Sequence, residues 1–197
     1  MKKFVFILIP SVVLFTSCIY TAMYHFSNSD LEWLSPYEQG DTVLFSSSEG
    51  MDTMTVEMIK VRDDYLPFMA NEGSSEMHAA GRITYHIHHR GNLLENDIAI
   101  LKNAHDVLRV CFSFEHRGVI FNTKNEPRLY KVKVNGATYE NAIKIDDSNS
   151  EIIFMSPNNC EYFIWSKSKG LLQYKYLNGE VYTFYKKIPR KKNGWFQ

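Results

Sequence analysis

Residues 162–184 read YFIWSKSKGLLQYKYLNGEVYTF, and their punctuation decides the fold class. Tyr162 to Trp165 and Leu171 to Leu177 are rich in aromatic and branched residues and bracket SKSKG. Asn178-Gly179 then turns the chain into Val181 to Tyr185. Runs of this length, separated by two to five turn-forming residues, are antiparallel hairpins, because parallel pairing needs a much longer crossover. Just upstream, Leu129 to Val134 runs into Asn135-Gly136, a dipeptide that tolerates positive φ at both positions of a tight hairpin turn.

The pattern continues towards the N-terminus. In Val107 to Glu115, Leu108, Val110, Phe112 and Phe114 fall on one face and Arg109, Cys111, Ser113 and Glu115 on the other. Met77 to Arg90 is a long run ending at Gly91-Asn92, while Asp41 to Phe45 and Thr53 to Arg62 flank SSSEGMD. Leu94 to Ala104 reads two ways. Leu94, Ile98 and Leu101 share a helical face, yet Asp97 to Ile100 also reads as a strand. About ten short strands with regular turns predict a mainly β chain, a single antiparallel half-barrel, barrel or sandwich.

The first residues, MKKFVFILIPSVVLFTSCIY, have a different character. Lys2 and Lys3 precede an uncharged stretch from Phe4 to Phe15, then small Thr16 and Ser17, then Cys18. That order describes a secretory signal. The alternative is an uncleaved anchor helix, since Phe4 to Tyr24 carries no charge and about 20 apolar residues span a bilayer. Either way the domain is exported and membrane-tethered.

The resulting organisation is a signal peptide over 1–17, a flexible tether over 18–30, the β domain over 31–187 and a basic tail over 188–197. Loss of the signal leaves 180 of the 197 residues, enough for one core. It also takes the charge balance from 22 basic against 22 acidic residues to 20 against 22. A slightly acidic chain is a poor polyanion binder, so nucleic acid is not expected as a partner.

The ending LFTSC resembles a loose lipobox of Bacteroidetes lipoproteins, with lipid attached to Cys18. The stretch NGATYENAIKI, then the Trp-Ser-Lys-x-x-Gly-Leu and Gly-Glu hairpins, together with LEWLSPYEQGDTVLF, is similar to uncharacterised lipoproteins of that kind. The likeness covers roughly residues 135–185, the 31–45 stretch and the signal. It implies a compact tethered β domain and brings no activity or cofactor. It also implies a bacterial cell-envelope location. The lack of an acidic run after Cys18 favours the periplasmic side.

Chemistry-bearing residues are few. In RITYHIHHRG, Thr84, His86 and His88 point one way, Ile83, Tyr85 and Ile87 the other. Side chains two apart on one face lie about 6.6 Å apart, so His86 and His88 could converge on a metal. A third ligand would have to come from His78, His105, His116, Glu95 or Asp97; the competing reading is a solvated polar face. With Cys18 lipidated, Cys111 and Cys160 remain as an even pair that could form a disulfide in an oxidising compartment or equally be buried singly. Glu115-His116, Asp63-Asp64 and Asp146-Asp147 are sequence neighbours that face opposite sides on a strand, which suits them poorly to shared acid–base work. No catalytic signature is present, so no enzyme is expected. The basic tail KKIPRKKNGWFQ suits an anionic lipid surface or a solvated end. Three functions follow from this reading: a tethered, non-catalytic interaction or structural module, a β-barrel carrier of a lipid or other apolar ligand, and a histidine-based metal protein.

Overall fold

The computed structural model describes residues 25–65, 78–103, 106–122, 129–152 and 159–190. The proposed signal, Cys18 and the far end of the basic tail lie outside them. Among these residues a short helix, α1 (Asn28–Leu31), is followed by twelve strands: β1 (Thr42–Ser46), β2 (Met51–Tyr65), β3 (His78–His89), β4 (Asn92–Lys102), β5 (Leu108–Phe114), β6 (Arg117–Asn122), β7 (Tyr130–Val134), β8 (Ala137–Ile145), β9 (Glu151–Ile152), β10 (Cys160–Ser166), β11 (Gly170–Tyr176) and β12 (Val181–Ile188). The chain is therefore mainly β, and every strand pairing is antiparallel. All strands join one sheet in the order β7-β8-β10-β11-β12-β1-β2-β3-β4-β5-β6-β9.

Hairpin chemistry sets this register. Arg90-Gly91, Glu115-His116 and Asn135-Gly136 each place positive φ at both turn positions, the condition for tight turns that match strand twist. The ambiguous stretch is strand as far as Lys102: Ile98 and Ile100 are buried, Ala99 is half-exposed, and Ile98 pairs with Ile83 and Phe112. A helix there would leave β3 and β5 without their shared neighbour.

The sheet curls into a half-barrel. Phe112 and Phe114 of β5 meet Phe163 of β10 at ring-centroid separations of 5.9 and 5.0 Å, although the two strands stand far apart in sheet order. Trp165 also packs edge-on against Phe112 and Tyr37. Interlocking rings, with Phe45, Tyr85, Tyr174, Tyr176 and Tyr182, fill the interior.

The two ends of the half-barrel differ. One, the hairpin end, carries the turns at 47–50, 90–91, 115–116 and 177–180. The other, the entry end, receives α1 and the segment after it. Ser27 caps α1 by accepting from the Asp30 amide while the Asp30 carboxylate accepts from the Ser27 amide. This capped turn overlaps the end of the stretch read as tether. Asp30 pairs with Lys102 at 2.9 Å, tying α1 to the end of β4. Trp33, Leu34 and Tyr37 then enter the core, and Tyr37 Oη accepts from the Leu171 amide at 2.8 Å. Gly170 is required here: its φ is +80°, and a Cβ would lie 2.2 Å from Tyr37 Oη.

Candidate functional site

Two places concentrate chemistry, one sealed and one open. The sealed one lies inside the hairpin end. Asp52 begins β2 on the same parity as buried Met54 and Val56, and His89 ends β3 on the parity of Ile83, Tyr85 and Ile87. Alternation therefore drives both polar side chains inward. His89 Nδ1 donates to the Asp52 carboxylate at 2.9 and 3.1 Å, and Tyr174 Oη donates to Oδ2 at 2.6 Å. The rings of Tyr176 and Tyr182 lie against His89 with centroids 4.6 and 5.4 Å away. An Arg90–Glu180 ion pair sits over the outside.

Glu115 belongs to the same end. Its positive φ places it in the β5–β6 turn with its side chain only 4% exposed. Asn96 Oδ1 accepts from the Glu115 amide at 2.7 Å. Burial pushes the Glu115 carboxyl up to about 8; the Asn96 hydrogen bond opposes the shift and the nearby Asp52 charge adds to it. Burial raises Asp52 as well, against the hydrogen bonds from Tyr174 and His89. The Tyr176 hydroxyl has no hydrogen-bond partner among the described residues.

A carboxyl that stays protonated when folded and ionises near 4.5 when unfolded makes stability fall as pH rises. Glu115 stability is fully present below pH 4.5, drains away between there and about 8, and is flat beyond. Glu115→Gln keeps the shape without the titration. It is expected to stabilise the domain at the upper end of that window by on the order of 1–3 kcal/mol and to flatten the fall in Tm, leaving the smaller slope due to Asp52. Thermal melts across the window check this; a wild-type Tm that rises with pH would contradict it.

The open place is the outer face of β2–β6. His86 lies there, its Nδ1 3.4 Å from Glu57 and its Nε2 3.8 Å from Glu95. His88 is exposed on the same face, while Ile83, Tyr85 and Ile87 are in the core as the alternation predicts. Among the described residues no group of three or more His, Cys, Asp or Glu side chains is arranged to hold a metal ion. His86 is thus placed with two exposed carboxylates rather than with His88 and a third ligand. His105 and the His78 side chain lie outside the described residues.

Two grooves cross this face. One, of about 660 Å³, is lined by Asp97, Cys111, Ser113, Ile120 and the 147–150 turn. The other, of about 440 Å³, has Ala80, Gly81 and Ala99 among its lining residues, with Lys60, Arg62 and Arg82 along it. Cys111 borders both. It and Cys160 are free thiols, the unbridged of the two alternatives. Cys111 is on the outer face of β5 and Cys160 is buried in the core on β10. Two β carbons must come within about 4 Å to be bridged, and these side chains lie on opposite faces of the sheet wall, one outward and one in the core. Burial raises both thiols above their ordinary range.

Sequence reading missed Asp52, His89 and Arg117 as interior groups. Parity was the available signal for the first two, since both share the phase of their strands' apolar residues. Arg117 follows Phe114 across a two-residue turn, and only the pairing of β5 with β6 and the approach of β10 show its burial. No family model matches the chain, and neither curated proteins nor solved structures yield a match.

Proposed function

We propose that this chain is an exported, membrane-tethered interaction module without catalytic activity, held by lipid on Cys18 or by an uncleaved anchor. The observation that carries the non-catalytic part is the filled interior. The carboxylate–imidazole–phenol set of Asp52, His89 and Tyr174 is sealed by tyrosine rings and by Arg90–Glu180. A general acid or base must come within hydrogen-bond reach of its substrate. This set is satisfied internally and serves the fold. A partner would meet the outer grooves, where Ile120 and Met58 stand exposed beside polar groups. An apolar cargo in the barrel would have to displace core rings, so the carrier reading has less support.

The tether is tested by the intact mass of protein recovered from the membrane fraction, beside Cys18→Ala. A mass short of residues 1–17 and carrying acyl groups is the expected result. Full-length, unlipidated protein would leave the anchor form of the proposal. Recovery of the chain wholly in the soluble fraction would overturn it.

A further inference from the structure

Topology brings the chain's exits and its spare positive charge to one place. At the entry end, α1 docks on Lys102, β12 finishes at Ile188 opposite Thr42 of β1, and β10 turns into β11 through residues 167–169. Among the described side chains of this end the carboxylates are largely matched: Asp30 and Asp106 with Lys102, buried Asp41 with Lys187 at 3.2 Å, and Glu32 with Lys167 at 3.6 Å. What remains is cationic. Arg109, Lys169, Lys186 and Arg190 are exposed and make no ion pair among the described residues, set against exposed Glu38. Beside them stand exposed Tyr185 and Ile188, with Lys186 Nζ 5.8 Å from the Tyr185 ring centroid. The hairpin end carries Glu49 and the Arg90–Glu180 pair, while Glu57 and Glu95 stand on the outer face between the two ends.

We infer that the entry end is a docking face for an anionic lipid bilayer, with the hairpin end turned away from it. This rests on the proposed tether. Cys18 precedes the first described residue, His25, by seven positions, a reach of at most about 25 Å. The anchor therefore holds this end, and not the hairpin end, near the headgroups. Amphipathic Tyr185 and apolar Ile188 suit the headgroup boundary, and unpaired cations are attracted by anionic lipid over roughly a Debye length.

The test uses the full chain reconstituted with vesicles of phosphatidylcholine alone or mixed with phosphatidylglycerol. Flotation with pure phosphatidylcholine reports the tether. Backbone hydrogen exchange reports the docking face. Exchange over 167–170 and 185–190 is expected to slow several-fold on the anionic vesicles only, and high salt should restore it. Exchange at 47–50 and 177–180 should not change. A Lys169→Glu/Lys186→Glu variant, altered at two exposed unpaired positions, should lose about tenfold or more of the anionic preference while keeping its thermal melt. Equal exchange on both lipids, or protection at the hairpin end, would overturn the docking face. Failure to float on phosphatidylcholine would overturn the tether alone, since the exchange contrast is then read on vesicles bound through charge.

Discussion

Asp52→Ala is expected to lower the stability of the domain by about 3–5 kcal/mol, which for a chain of this size is a fall of roughly 6–15 °C in Tm. The carboxylate is 2% exposed and accepts from two buried donors, His89 Nδ1 and Tyr174 Oη. Removing it orphans both, and each unsatisfied buried group costs about 1–3 kcal/mol. The imidazole is itself buried, with Tyr176 and Tyr182 packed against it. Tyr174→Phe deletes one donor and leaves the Asp52–His89 contact, so about 1 kcal/mol is expected there. Urea melts of both variants and of the double variant give the coupling between the two positions. A loss in Asp52→Ala no larger than in Tyr174→Phe would sink the account of a shared buried acceptor.

Arg117→Ala comes next, at about 2–4 kcal/mol. Its side chain is only 1% exposed and spans three elements. Nε donates to the Cys160 carbonyl at 3.0 Å, Nη1 to Ser150 Oγ at 2.7 Å and Nη2 to Asp147 Oδ1 at 2.7 Å. Together with the Cys160 amide reaching the Glu115 carbonyl, these bonds hold β10 against the β5–β6 turn. The alanine variant removes that clasp and leaves a void beside aromatic rings. Asp147 is 80% exposed, so the ion-pair component is worth little. Asp147→Asn should therefore cost less than about 1 kcal/mol. A comparable loss in both variants, measured by denaturant melts, would mean that the charge pair matters and the clasp does not.

Both residues illustrate where sequence reading stops. The alternation in Leu108 to Phe114 and in Ile83 to Ile87 made the strand faces legible, and Asn135-Gly136 and Asn178-Gly179 made the hairpins legible. The same alternation extended by one step would have placed His89 inside, but a histidine beside His86 and His88 invites a metal reading instead. Glu115-His116 was opaque for another reason. A tight turn normally advertises itself with glycine or asparagine, and this one holds two other residues at φ of 45° and 65°. The register of the neighbouring strands imposes that conformation, and with it the burial of the glutamate.

From local chemistry alone, the sequence determines that the chain is antiparallel β with short connections, since turn dipeptides and period-two alternation act within a few residues. It also determines the spacing between the apolar N-terminal stretch and the domain. Only the tertiary structure decides that the sheet curls far enough for β5 to touch β10, because that depends on twist accumulated over the whole sheet. The curl buries Asp52, His89, Glu115 and Arg117 together and parts Cys111 from Cys160, while His86 stays on the outer face between Glu57 and Glu95. It also collects cations from β5, the β10–β11 turn and β12 at the end where the chain enters. Charges spread along a nearly neutral sequence become a polarised surface only when strand order places them.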